Sequence, residues 1–249
     1  ARPGLTTQQY RSLLINSASA FSIDGGVSTL NVQQGGVGLL NMTAALGETA
    51  AALPSTISFG MSGGTVDTSR EVRLTNLGPE ADAFTVQVER IGSGPAPALS
   101  RGYVEIARGS TEQVAVRFNA SGLGPGAYQG FIVVRSTRNQ RELRLPYWYG
   151  VPSDAPRTIT QLSDNDPEAP VSSRQQIVFR VTDVNGLPVL IEPTVAVTDG
   201  DGRVTAVVSV DDQIPGAWLA VVRLGASRGK NTFRISAGEL TRDIAIRGN

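Results

Sequence analysis

The spacing of hydrophobic and polar positions changes about fifty residues into the chain. Before that point, one set of mainly apolar residues recurs at the spacing of a single helical face: Tyr10, Leu13, Leu14, Ser17 and Ala18. Thr6 and Gln9 stand ahead of this set at capping-box spacing, in which a hydroxyl and an amide side chain satisfy free backbone amides. The pattern therefore predicts a first helix that begins just after Thr6.

A second short helix is predicted over residues 37–46. Leu39, Met42 and Leu46 would share one face of it. Gly47 follows at the position where helices often end in a left-handed glycine. Residues 1–50 are thus expected to form a helical segment that differs from the rest of the chain.

From Pro54 onward the pattern has a period of two, which is typical of half-buried strands. The alternating apolar positions are Val72 and Leu74; Phe84, Val86 and Val88; Val114, Val116 and Phe118; and Leu143 and Leu145. Residues 128–134 are more continuously apolar and are predicted to form a central strand, with Tyr128 as a tyrosine corner. About seven strands in roughly 100 residues predict a β-sandwich over residues 53–152.

A proline-rich stretch at residues 152–172 separates this sandwich from a second alternating region. Asn185-Gly186 indicates a tight hairpin there. The alternating positions are Ile177, Phe179 and Val181; Val195 and Val197; Val204, Ala206, Val208 and Val210; Trp218, Ala220 and Val222; Phe233 and Ile235; and Ile244 and Ile246. We therefore expect a second β-sandwich over residues 157–249, with Trp218 in its core. The whole chain would be a mainly β protein of two sandwiches preceded by a short helical segment.

Composition excludes several classes of function. The chain has 249 residues and contains no histidine and no cysteine. It therefore cannot form a Ser-His-Asp or Cys-His catalytic centre, a histidine or thiolate metal site, or a disulfide. Its 22 basic and 22 acidic residues balance, which gives no electrostatic reason to expect nucleic-acid binding. No apolar run is long enough to span a bilayer.

The helical segment carries more apolar surface than two short helices can bury between them. Its six large apolar side chains are Leu13, Leu14, Leu39, Leu40, Met42 and Leu46. Burial of each contributes roughly 1.5–3 kcal/mol, whereas helices this short are marginal in water. Since a closed sandwich offers no obvious groove for them, we expect a neighbouring surface that this sequence lacks. Failing that, residues 5–46 should pack on a second copy of the chain, giving a homo-oligomer, or fold onto the first sandwich.

Two stretches of this segment resemble the C-terminal end of the subtilisin-like serine protease catalytic domain. The run PGLTTQQYRSLLINSA at residues 3–18 is similar to the family's helix with a Leu-Ser/Thr cap and a Leu-Leu-x-x-Ser/Thr-Ala ending. The run VQQGGVGLLNMTAAL at residues 32–46 is similar to its closing Gln-Gly-x-Gly-x-x-Asn-x-x-Ala-Ala helix, with Val37 where the family has alanine between two glycines. The resemblance covers about 45 residues and includes none of the family's catalytic motifs.

The later domains resemble modules found in large bacterial proteins. Residues 70–76 and 124–134 look like the fibronectin type III-like modules appended to such proteases. Residues 181–189 are similar to the bacterial immunoglobulin-like modules of invasin-type surface proteins.

These resemblances imply a secreted protein, extracellular or periplasmic, whose parent hydrolyses peptide bonds through an acyl-enzyme. The chain itself would be a non-catalytic accessory region that positions an upstream protease domain against a protein substrate or a cell-surface component, or stabilises that domain. The alternatives are a structural or adhesive cell-surface protein of immunoglobulin-like domains, with the helices as a docking segment, and a carbohydrate-binding module.

The sequence contains two weak candidate sites. Asp164 and Asp166 form an acidic loop that could bind calcium together with carboxylates of another loop, either Asp199 and Asp201 or Asp211 and Asp212. Such residues also favour ordinary solvated turns. No cofactor other than this calcium is expected.

The second candidate is an aromatic cluster, Tyr147, Trp148 and Tyr149, that could bind carbohydrate or protein, although core packing is the simpler interpretation. Ser12 and Ser17 are the hydroxyls nearest to the protease resemblance. They lie in a predicted helix without a base and are not expected to act as nucleophiles.

Overall fold

The computed structural model describes residues 3–21, 30–163 and 168–249. The chain divides into two compact units, Ala1–Gly150 and Val151–Asn249. Each unit contains two β-sheets, and the helical segment belongs to the first unit. The expected class, mainly β with two immunoglobulin-like sandwiches after a short helical segment, is confirmed.

The described residues of the helical segment form three short helices, α1 (Thr7–Asn16), α2 (Val32–Gly35) and α3 (Met42–Gly47). The predicted capping box of α1 is present. The Gln9 amide donates to Thr6 Oγ1 at 3.2 Å, and the Thr6 amide donates to Gln9 Oε1 at 2.8 Å. None of the helices in the described ranges has the length and hydropathy of a membrane-spanning segment.

The prediction of one helix over residues 37–46 is wrong in its first half, because a turn at residues 36–37 and a β-bridge at Leu39 separate α2 from α3, and only residues 42–46 of the predicted helix are helical. Leu39 forms a β-bridge with Ser19, with backbone hydrogen bonds of 2.8 and 2.9 Å. Gly38 has a φ of +128°, and a Cβ there would lie 2.0 Å from the Ser19 carbonyl oxygen. Glycine therefore breaks the helix and allows the bridge. Gly47 is the last residue of α3 and lacks the left-handed conformation that the sequence predicted.

Among its described residues, the first unit has nine strands: β1 (Ala50–Leu53), β2 (Ile57–Met61), β3 (Val66–Asn76), β4 (Asp82–Ile91), β5 (Ala98–Leu99), β6 (Tyr103–Ile106), β7 (Thr111–Ala120), β8 (Gly126–Ser136) and β9 (Glu142–Val151). One sheet has the order β1-β3-β7-β5 and the other β2-β9-β8-β4-β6. The pairing is antiparallel except between β2 and β9.

The alternation predicted in the first unit matches its core. Val72, Leu74, Val114, Val116 and Phe118 are each at most 1% exposed. The strand predicted to be central, β8, lies inside the five-stranded sheet between β9 and β4. The Tyr128 hydroxyl donates to the Gly124 carbonyl at 2.9 Å, which is the hydrogen bond expected of a tyrosine corner.

Where the structure describes it, the second unit has eight strands: β10 (Thr158–Gln161), β11 (Glu168–Ala169), β12 (Arg174–Thr182), β13 (Thr194–Asp199), β14 (Arg203–Ser209), β15 (Ala217–Arg223), β16 (Gly229–Ala237) and β17 (Leu240–Gly248). Its sheets have the orders β10-β12-β15-β14 and β11-β17-β16-β13. The predicted core residues of β12, β15, β16 and β17 form one buried cluster, and Trp218 packs against it as expected.

The alternation predicted for β14 is wrong in its second half. A bulge between Val204 and Ala206 shifts the register, so that Val204 and Val207 pack on the core. Val208 is instead exposed. An extra residue in one strand reverses the faces of all residues that follow it, and the period of the sequence does not show where this happens.

Candidate functional site

Helix α1 is fixed to the first sandwich by a buried polar network. Asn16 is fully buried, and its Nδ2 donates to the Ser55 carbonyl at 2.8 Å and the Arg144 carbonyl at 3.0 Å. Asn16 Oδ1 accepts from Ser12 Oγ at 3.0 Å, and Ser12 Oγ accepts from the Ala52 amide at 2.9 Å. Because Ser55 and Ala52 lie near β1 and Arg144 lies in β9, the helix is tied to both sheets of the unit.

Apolar contacts supplement this network. Leu13 is 3% exposed, and Val37 joins a small buried cluster with Phe131 and Val133 of β8. Ile15, Ala18, Val32 and Ile91 pack around that cluster. The expectation that a closed sandwich gives the helices no place to pack is therefore wrong for Leu13, Ile15, Ala18, Val32 and Val37. Polar anchors and small side chains make the fit possible.

The remaining large apolar side chains of the segment are exposed. Leu39, Leu40, Met42 and Leu46, which we term the apolar face, are 58%, 63%, 51% and 56% exposed. Met42 and Leu46 lie four residues apart on α3 and so share one side of the helix. The sequence analysis expected six large apolar side chains of this segment to be buried, and of these six only Leu13 is buried within this chain.

Further apolar groups lie outside the apolar face on the same segment. Tyr10 and Leu14, four residues apart on α1, are each 37% exposed, and α1 contacts α3. Between Pro3 and Gly47 the sequence has just two charged residues, Arg11 and Asp24. The segment thus combines exposed apolar side chains with a scarcity of charge, which is the composition of the centre of a protein–protein interface.

Ser12 of α1 and Ser17, which caps the C-terminus of this helix, are structural. Ser12 is fully buried in the network described above, and Ser17 is 7% exposed with its hydroxyl donating to the Leu13 carbonyl. The chain contains no histidine that could act as a general base for either hydroxyl.

The aromatic cluster proposed as a binding platform lies mostly inside the first sandwich. Tyr147 and Tyr149 are each 1% exposed, and Trp148 between them is half-buried. The Tyr149 ring packs edge-on against Phe118 with 5.6 Å between ring centroids. A sugar ring cannot stack on buried rings, so Tyr147 and Tyr149 do not form a carbohydrate platform; they pack in the core.

The Tyr147 hydroxyl is buried without a hydrogen-bond partner in the described part of the chain. Burial raises the pKa of Tyr147 to about 12, while the nearby charge of Arg90 acts in the opposite direction. Since an unsatisfied buried hydroxyl costs about 1–3 kcal/mol, Tyr147→Phe should stabilise the protein by about 1 kcal/mol at neutral pH.

The same substitution should also remove a pH dependence. The folded pKa lies above the ordinary value of 10.0, so unfolded chains lose this proton first as pH rises. The wild type should therefore lose stability progressively between pH 10 and about 12, whereas Tyr147→Phe should lose less over the same range. Urea unfolding of both proteins across this pH range measures the difference. Parallel stability curves, or a less stable variant at neutral pH, would show that the hydroxyl has a partner.

The calcium candidates Asp164 and Asp166 lie outside the described residues. Of the carboxylates expected to join them, Asp199 lies 3.8 Å from the Lys230 ammonium, and Asp201 accepts from the Ser227 amide at 3.4 Å. The described ranges contain no group of three or more acidic side chains placed to hold a metal ion. The calcium site therefore stays a prediction.

Neither protein-family models nor curated protein sequences give a match to the chain. Solved structures with similar architecture include an ASH/PapD-like domain of human CEP192, with 12% identity, 41% of this chain and 84% of that one covered, and a TM-score of 0.35. Another is InvD of Yersinia pseudotuberculosis, with 14% identity, 81% of this chain and 57% of that one covered, and a TM-score of 0.35. A third is the CsuC–CsuE complex of chaperone and tip adhesion subunit from Acinetobacter baumannii, with 12% identity, 80% of this chain and 98% of that one covered, and a TM-score of 0.36. Similarity at this level carries no argument about function.

Proposed function

We propose that this chain is a non-catalytic, protein-binding region in which the sandwich modules present the helical segment as a docking element. It would belong to a structural or adhesive cell-surface protein of immunoglobulin-like domains. The observation that carries this proposal is the apolar face, four large side chains more than half exposed on a segment firmly anchored at Asn16 and Leu13.

The energetics favour an occupant for the apolar face. Covering a large aliphatic side chain contributes roughly 1.5–3 kcal/mol, so four such side chains provide enough free energy for a stable contact. Exposed apolar clusters of this kind mark interaction sites. Because Asn16 already fixes α1, the segment loses little conformational freedom when a partner binds, which raises affinity. The lack of charge indicates that the partner surface is itself apolar and uncharged.

The non-catalytic part of the proposal rests on chemistry. Without histidine or cysteine, the side chains left for acid–base or nucleophilic work are carboxylates, hydroxyls and amines. Among them, Glu112 and Glu142 form surface ion pairs with Arg101 and Arg135 at 3.0 and 2.5 Å. Both carboxylates thus lie on the outer surface of strands, in ion pairs with arginines, and neither lies in a cleft.

A second candidate function is an accessory region of a secreted subtilisin-like endopeptidase. The observation that favours it is the location of the apolar face, because Leu39, Leu40, Met42 and Leu46 all lie within residues 32–46, one of the two stretches that resemble the end of that catalytic domain. In this case the occupant would be the protease domain encoded upstream, and the chain would position that domain or stabilise it.

Both candidate functions require that another protein surface covers the apolar face, and substitution of a residue in this face tests that requirement. In the protein isolated natively with its partners, hydrogen–deuterium exchange over residues 40–46 should be slower than in the purified chain. Leu40→Glu should restore fast exchange, because a buried charge opposes docking. Leu190→Glu is the matched control, since Leu190 is 72% exposed in the second unit. The proposal fails if residues 40–46 exchange equally fast in the native assembly and in the purified wild-type chain.

Peptide hydrolysis separates the two candidates. The accessory-region hypothesis predicts that the full-length product cleaves an unfolded protein substrate and that the isolated chain does not. The surface-protein hypothesis predicts no cleavage by either. Hydrolysis by the isolated chain that is lost on substituting one of its own residues would contradict both.

A further inference from the structure

Three arginines lie side by side across one sheet of the second unit. Arg223 in β15 pairs directly with Arg174 of β12 on one side and with Arg203 of β14 on the other. Residues paired directly across strands project from the same face of a sheet. This face is the outer one, because the neighbouring row, Gln175, Val222 and Val204, contains the core residue Val222 and projects the other way. We term the three the arginine row.

The arginine row lines a shallow surface depression of about 580 Å³. Its lining residues are Ser172, Arg174, Arg203, Thr205, Ala206 and Arg223. No carboxylate lines the depression among the described residues. Arg223 Nε donates to the Ser172 carbonyl at 2.9 Å, which orients this guanidinium. Arg174 and Arg203 make no side-chain hydrogen bond or ion pair within residues 3–21, 30–163 and 168–249.

Two other arginines on the sheets of this chain each pair with an aspartate on the neighbouring strand, unlike the members of the arginine row. In β16, Arg234 lies opposite Asp243 of β17 and forms a two-pronged ion pair with it at 2.7 and 2.8 Å. In β7, Arg117 does the same with Asp67 of β3, at 2.9 Å for both contacts. Like charges placed directly opposite each other destabilise a sheet. The arginine row therefore costs stability in the free protein, and a bound anion would remove that cost.

We propose that the arginine row binds a tetrahedral oxyanion, a sulfate or phosphate group. Neighbouring strands lie about 4.7–4.9 Å apart, so the flexible guanidinium groups of the outer arginines can converge above Arg223. Guanidinium forks match the oxygen spacing of sulfate and phosphate and donate charge-assisted hydrogen bonds to them. The site takes either the free anion or an ester group carried on a sugar, and the two share this chemistry. It lies in the second unit and does not depend on the proposed docking function.

Calorimetric titration of the whole chain at low ionic strength tests the site, with inorganic sulfate, inorganic phosphate and a sulfated disaccharide as probes. Arg203→Gln and Arg174→Gln should each weaken binding about tenfold, because each removes a charge-assisted contact. Arg234→Gln is the matched control: it removes the same charge from the same unit, but on the other sheet, and should bind as the wild type does. Equal affinities for sulfate and the disaccharide would assign the free anion, and tighter binding of the disaccharide would assign the ester.

Thermal unfolding provides a second readout that does not need a bound probe. Without added anion, Arg203→Gln should have a melting temperature at or above that of the wild type, because it relieves like-charge repulsion. With sulfate, the melting temperature should rise more for the wild type than for Arg203→Gln. The proposal is overturned if no probe binds the wild type, or if Arg234→Gln weakens binding as much as Arg203→Gln does.

Discussion

Replacing Asn16 with alanine should destabilise the first unit by about 3 kcal/mol. The substitution leaves the Ser55 and Arg144 carbonyls without their donor and deprives Ser12 Oγ of its acceptor. Each buried polar group left without a partner costs about 1–3 kcal/mol. Urea unfolding followed through Trp148 fluorescence, in a Trp218→Phe background that silences the second unit, measures the change.

Asn41→Ala is the matched control for this experiment. Asn41 Oδ1 accepts from the Ala44 amide at 2.9 Å and caps α3 near the surface. Loss of such a cap costs about 0.5–2 kcal/mol, less than the loss of the buried network. If Asn16→Ala unfolded with the wild-type midpoint, α1 would not be anchored to the sandwich as described.

The second large effect is expected at Gly130, in the middle of β8. A Cβ there would lie 2.1 Å from the Glu89 carbonyl oxygen and 2.9 Å from the Tyr147 ring. Backbone of the paired strand cannot move away without breaking the β4–β8 ladder. Gly130→Ala should therefore destabilise the first unit by about 3 kcal/mol, the upper part of the range for overpacked cores.

Gly63→Ala tests whether the loss of stability at Gly130 comes from the steric clash of the added Cβ or from the loss of a glycine as such. Gly63 has an ordinary φ, and no atom lies within 4 Å of the position of its Cβ. Its replacement should leave the unfolding midpoint unchanged or slightly raised, because alanine restricts the unfolded chain. A similar loss of stability in both variants would contradict the close approach of β8 to β4.

Local signals predicted those features of the fold that depend on nearby residues. The Thr6–Gln9 capping box acts within one turn of helix, and the alternation of Val114, Val116 and Phe118 follows directly from the geometry of a strand. The tyrosine corner at Tyr128 also closes on a residue just four positions upstream.

Features that depend on distant residues were not predictable in this way. The helix expected over residues 37–46 is interrupted because Leu39 pairs with Ser19, which lies twenty residues earlier. The bulge in β14 is defined by its partner strand β15. The anchoring role of Asn16 depends on carbonyls at residues 55 and 144. Its one local sign was a pair of small polar residues, Ser12 and Asn16, on the same side of α1 as Leu13.

The candidate sites show the same division. The sequence indicated an excess of apolar side chains on residues 5–46, but it did not show that Leu13 is buried while Leu40 and Met42 are exposed. The arginine row was not predictable from the sequence, because Arg174 and Arg223 are 49 residues apart and the three arginines become neighbours only through the register of the strands. Tyr147 and Tyr149 follow Leu143 and Leu145 at a spacing of two residues in β9, and all four are buried, in agreement with the core packing that the sequence analysis gave as the simpler interpretation.

Oxidation of the two methionines tests most directly whether the apolar face has an occupant. Met42 lies on the apolar face, and Met61, 38% exposed at the end of β2, is an internal reference. Dilute peroxide converts accessible methionine to the sulfoxide, which mass spectrometry counts residue by residue. A covered face predicts that Met42 oxidises more slowly relative to Met61 when intact producing cells are treated than when the purified chain is treated. The same ratio of rates in both samples would contradict the docking function.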